Sequence, residues 1–153
     1  MSLHVTHSTI DGTTMPLAIV RIMVPEGLVI SKETMADARK QWSSSYRKFD
    51  KFVLAVDLTH ESLTFLNCVW LVPHVVKILH KHREKSDRQI LVNGLVLSDG
   101  QERLYEMVTA LYEPTKTVVK AKTLDELLPM IKSECENMSS APRGPSEAQS
   151  SRT

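Results

Sequence analysis

Two short polar breaks hold residue types from which acid–base or nucleophilic chemistry is built: Asp57, Thr59, His60 and Glu61 in one, Ser98 and Asp99 in the other. A carboxylate beside His60 would tune the imidazole as a general base. That base would activate the Ser98 hydroxyl or a bound water, the minimum equipment of a hydrolase. The same types have a plainer use, because Ser98 and Asp99 precede a segment of helical period and suit a helix cap, a role worth about 1 kcal/mol. Asp57 closes an apolar run, a place where turn and cap residues gather. Capping accounts for these groups without catalysis, so no catalytic residue is assigned. The rim of Asp57, Thr59, His60, Ser98 and Asp99 stands as the candidate site of the alternative reading, a small-ligand, lipid or nucleotide binder or a minor hydrolase, since ligands in open parallel sheets gather beyond the strand ends.

Other chemistries find less support. His74 and His80 are six apart and His80 and His82 two apart, so neither pair shares a helix face as three- or four-residue spacing would, and no metal or other cofactor is expected. Lys77, Lys81, Arg83, Lys85 and Arg88 form a basic patch offset only by Glu84 and Asp87. Cations near a helix C-terminus are favoured by its exposed carbonyls, which explains the patch as a solvated helix end. No aromatic residue interleaves with it for base stacking. Nineteen Lys and Arg against eighteen Asp and Glu leave a net charge of +1, so no bulk field draws nucleic acid to the chain.

Cys68 and Cys135 are too few and too far apart for a disulfide framework or a zinc site. The opening residues, Met1 to Thr9, lack a basic region and an apolar secretory core, so a cytoplasmic location with reduced thiols is the expectation. The longest apolar stretch, Leu63 to Leu79, is interrupted by Asn67, Pro73, His74 and Lys77; it reads as a buried helix and not as a membrane span.

The elements that must hold these residues follow from hydrophobic patterning. A chain of 153 residues that is 42% hydrophobic suits one globular domain. Phe52 to Val56 and Ile90 to Leu97 are apolar at nearly every position, as strands covered on both faces are. Before them, His4 to Ile10 and Leu17 to Val24 flank an Asp11-Gly12 turn and predict an antiparallel hairpin. A helix capped by Thr34 should bury Met35, Ala38, Trp42 and Tyr46. The next helix covers Leu63 to Leu79, with a kink or restart near Pro73 and with Trp70 in the core. Asn93-Gly94 inside the second buried strand predicts a bulge or a close backbone approach. Ser98 and Gln101 open a helix burying Leu104, Met107, Val108 and Leu111, which Pro114 ends. Thr117 to Ala121 is a short last strand, and Thr123 caps a final helix that Pro129 should limit or bend. The predicted fold is a single α/β domain over 1–135, a mixed and mostly parallel sheet of about five strands with about four helices. A disordered tail rich in Ser and Pro should fill 136–153.

This order of elements, with the step Asp57-Leu58-Thr59 closing the strand before the second helix, resembles the STAS domain family of anti-sigma-factor antagonists and sulfate-transporter ends. The resemblance runs from about His4 to Ile131 and implies a regulatory domain that works by docking to proteins. Family members of the signalling type open the long helix with a phosphorylatable Asp-Ser-Ser-Gly-like step. Here that region reads Leu63-Thr64-Phe65-Leu66-Asn67-Cys68, which leaves Thr64 as the phosphoswitch candidate. A weaker resemblance, to the lipid-binding CRAL-TRIO lobe, would require a large apolar cavity.

The leading functional expectation is a non-catalytic protein-interaction or assembly module. The apolar positions of Leu63 to Leu79 exceed what one helix face buries, so Phe65, Val69, Val72 and Val76 are the interface candidates, for a protein partner or self-association.

Overall fold

The computed structural model describes residues 1–24, 26 and 31–140, with the side chains of Phe65, Cys68, Ser139 and Ser140 excepted. Strands β1 (Ser2–Thr9) and β2 (Pro16–Met23) pair antiparallel around the expected turn, where Gly12 takes a φ of 75° that favours glycine. Helix α1 (Lys32–Lys48) follows, then β3 (Phe52–Asp57), α2 (Phe65–Lys81) and α3 (Arg83–Gln89). Strand β4 (Ile90–Val96), a 3-10 turn (Asp99–Gln101), α4 (Glu102–Leu111), β5 (Val118–Ala121) and α5 (Leu124–Ser140) complete the described chain. The predicted α/β class holds: the described residues form one small domain with a mixed, mostly parallel five-stranded sheet and five α-helices.

Strand order is β1-β2-β3-β4-β5, so each crossover from β2 onward is parallel and steps in the same direction. Right-handed crossovers that all step one way leave their helices on one face of the sheet. The side chains divide accordingly. Val20, Leu54, Val56 and Ile90 pack with Met35, Trp42, Leu71, Val72 and Leu104 from α1, α2 and α4. The alternate positions, Leu17, Val53, Ala55, Val92 and Val96, pack with Leu127 and Ile131 of α5 on the opposite face. The pleat thus explains why the central runs carry no polar alternation: both faces of β3 are buried.

Of the two things expected at Asn93-Gly94, the close approach is found at Gly94, and the irregularity of the strand falls just before it, at Leu91 and Val92. The β3–β4 register shifts between Phe52 and Leu54 opposite Ile90 and Asn93, and a Cβ at Gly94 would stand 2.7 Å from Ile131 Cδ1 and 2.9 Å from Leu127 Cδ2. Glycine here lets α5 sit close to the sheet.

Several expectations are corrected. The cap of α1 is Ser31, in a capping box with Thr34 as its third residue, so the helix starts earlier than Thr34. Helix α2 continues through Pro73, which stands on the exposed side where solvent meets the carbonyl that proline leaves unbonded. The restart falls instead at His82, giving five α-helices where four were expected. Pro129 is likewise exposed inside α5 and does not limit it. Leu111 is exposed and not buried, because α4 ends there and its last turn extends past the sheet-facing stripe begun by Leu104. The final helix runs to Ser140, past the expected boundary at 135; the rest of the expected tail, 141–153, and the segment around Gly27 to Ile30 lie outside the described residues.

Replacing Gly94 by valine overpacks the seam under α5, a change that costs about 1–3 kcal/mol. Denaturant unfolding should show G94V destabilised within that range and partly restored by adding Ile131→Ala; an undiminished midpoint would contradict the close approach.

Candidate functional site

The candidate rim lies where β3 and β4 end. Strand β3 delivers Asp57 in register with Arg21 of β2 and Val96 of β4. Its carboxylate is almost fully engaged: Thr59 donates from its backbone N–H at 2.9 Å and from its hydroxyl at 2.5 Å to Oδ1, and Arg21 Nε lies 3.2 Å from Oδ2. Burial alone would raise the Asp57 pKa. The two Thr59 hydrogen bonds and the Arg21 guanidinium outweigh it and hold the group below the ordinary carboxylate range. Arg21 is the member of this cluster that the sequence did not signal, since its partner is reached only through the β2–β3 register.

The remaining rim groups are bonded close to home. His60 Nδ1 accepts from the Ser62 N–H at 3.1 Å and pairs with the Ser62 hydroxyl at 2.8 Å, while Ser62 Oγ accepts from the Val24 N–H at 2.8 Å. This turn joins the end of β2 to the entry of α2. Ser98 donates from its N–H and hydroxyl to Gln101 Oε1 at 3.0 and 2.5 Å, the reciprocal cap expected of that pair, and Gln101 Nε2 reaches the Leu63 carbonyl at 3.4 Å. Asp99 makes an exposed ion pair with Lys122 at 3.4 Å. Among the described residues, Asp57 with Thr59 is the one pair of the five rim candidates joined by a hydrogen bond. His60 and Ser98 each engage a sequence neighbour and not one another.

Thr64 caps α2, its hydroxyl accepting from the Asn67 N–H at 3.3 Å, and the residue is exposed. The basic patch is divided between two successive helices. Lys77 and Lys81 belong to α2, and Lys85 and Arg88 to α3, while Arg83 lies over the Tyr112 ring at 4.8 Å and reaches Asp87 at 4.0 Å. His82 between them is buried: Nδ1–H donates to the Ile78 carbonyl at 3.0 Å, and the ring stacks on Tyr46 at 5.5 Å. Burial pushes its pKa below the ordinary histidine value, with Lys85 and Lys81 adding to the shift and the Ile78 bond opposing it. No group of three or more His, Cys, Asp or Glu among the described residues has the arrangement of a metal site. No described helix is long and apolar enough to cross a membrane.

The interface candidates on α2 need a change of register. Val72 is buried, 6% exposed, against the sheet-side core, and Val76 is half-buried in the same layer. Val69 is exposed, and Trp70, expected in the core, is 65% exposed. The side chain of Phe65 lies outside the described set. The outward positions are Leu66, Val69, Trp70 and Pro73, spaced three and four apart, so they form one stripe. The core takes Leu71, Val72 and Ile78 instead. With apolar residues all round the helix, periodicity could not rank the two sides.

Comparison with protein-family models, with curated proteins and with solved structures finds no match.

A folded-state pKa held low means that Asp57 adds stability above its unfolded-state pKa, stability lost as pH falls through the folded value. Unfolding free energies measured from neutrality down through about pH 5 and below should therefore fall less steeply in D57N than in the unsubstituted chain. Parallel curves would contradict the Thr59–Asp57–Arg21 arrangement.

Proposed function

We propose that the chain is a non-catalytic protein-assembly module of STAS-like architecture that works through the outer stripe of α2. The observation that carries this reading is the exposure of Leu66, Val69 and Trp70, at 65%, 44% and 65%, on adjacent turns of one helix. Contiguous exposed apolar area is costly to leave in water and marks interaction sites. Tryptophan is among the residues most enriched in binding hot spots, and here it projects from the second turn of a helix whose inner side is fixed in the core. Binding, not turnover, is the activity proposed, a reading supported by His60 and Ser98 being bonded within their own turn and cap and by Asp57 and Asp99 being paired with Arg21 and Lys122. The docking role implied by the STAS resemblance points the same way.

The occupant we assign to the stripe is a second copy of the chain. A two-fold interface needs a self-complementary patch. Two α2 helices laid antiparallel about a point between Val69 and Trp70 set Leu66 opposite Pro73 and the tryptophan of each copy against the valine of the other. Helix α2 carries no carboxylate, so no acidic group would be left unpaired under the contact.

Sedimentation at increasing concentration should show a species of twice the 17.3 kDa chain mass. Trp70→Glu should weaken that association by about thirtyfold or more, the effect of losing an anchor worth 2 kcal/mol or above, with an unchanged circular-dichroism spectrum. A wild-type chain that stays monomeric throughout overturns self-pairing and assigns the stripe to a different protein.

A further inference from the structure

Beneath α2, on the same side of the sheet, an apolar cavity of about 150 Å3 lies between the strands and helices α2 and α4. Its deep wall is made by Leu54, Ile90 and Leu104, all buried, and Leu71 and Val108 form part of its roof. Apolar cavities of about this size have room for small apolar molecules, and the apolar wall here suits a hydrocarbon group. The half-buried and exposed part of the lining, with Asp87, Thr115 and Lys116, marks the open side. There Asp87 is already engaged, accepting from the Thr115 hydroxyl at 2.5 Å and facing Arg83 at 4.0 Å. Lys116 makes no ion pair among the described residues. With Asp87 taken up in this way, Lys116 is the charged group at the opening that is left to meet a ligand above the apolar interior. That combination fits an anion with a hydrocarbon tail better than an amine, because the carboxylate at the opening, Asp87, is already bonded to Thr115 and faces Arg83.

We propose that this cavity binds a medium-chain alkyl carboxylate, its tail against Leu54, Ile90 and Leu104 and its head group at Lys116. The interior separates apolar from polar solutes, and the ammonium separates carboxylates from neutral alcohols of the same length. Trp42 also lines the cavity, with its indole N–H buried. Its emission therefore responds directly to what fills the space.

The chain has two tryptophans, so Trp70→Phe leaves Trp42 as the single reporter and removes the anchor of the α2 stripe, which separates this test from self-association. Decanoate titrated below its micelle concentration into W70F should change Trp42 emission saturably and raise the melting temperature. Lys116→Glu in that background should weaken decanoate binding by about fivefold and leave decanol binding unchanged. Val108→Phe, which fills the cavity, should abolish binding of both. Emission that does not saturate overturns the site, and K116E binding decanoate as tightly as its parent overturns the head-group assignment.

Discussion

A strand in the middle of this sheet has to serve two unlike faces at once, and the direction in which strands are added decides what each face meets. Because every parallel crossover steps the same way, α1, α2 and α4 share one side, and the other side is left to whatever follows the last strand. Helix α5 takes that place and can approach only because position 94 has no side chain. Asp57, at the end of the most buried strand, is held by Thr59 beyond it and by Arg21 beside it, so the polar rim is anchored to the same register.

The three helices of the first face do not press on the sheet equally. Residues of α1 reach the core through Met35, Ala38, Trp42 and Tyr46, a regular stripe. Helices α2 and α4 pack against each other and leave apolar space below them. Helix α2 then stands as a roof with an occupied inner side and an apolar outer one. Burying a large side chain is worth about 1.5–3 kcal/mol, so an exposed Leu66, Val69 and Trp70 forgo a substantial stabilisation that a second surface restores. The two proposals concern the two sides of this one helix, its outer stripe and the space under it, and each stands without the other.

The fold was largely legible in the sequence because its strongest signals are local. Two largely apolar runs, an Asp-Gly turn, a reciprocal cap at Ser98, a one-way cap at Thr123 and the Asn-Gly step each dictate their own structure through backbone chemistry. Element ends moved where two good caps competed, as Ser31 did with Thr34. What failed were judgements of side on α2, where Val72 and Trp70 exchanged roles. Hydrophobic periodicity identifies an inner face only when the outer face is polar, and this helix is apolar on both. Arg21 was hidden for a different reason: its partner lies 36 residues away and is fixed by strand pairing. Separate polar residues at the strand ends suggested a common site, but local hydrogen bonds hold His60 and Ser98 within their own turns, a distinction that residue types alone do not carry.

The central claim is that α2 turns Val72 inward and Trp70 outward, and that the outward side is a contact surface. Acrylamide quenching of the two tryptophans over a range of protein concentrations tests it directly. Trp42 should be protected throughout, with Trp70 readily quenched in dilute solution and increasingly shielded as concentration rises. Two tryptophans equally protected at every dilution, or a Trp70 as accessible in concentrated as in dilute solution, would contradict it.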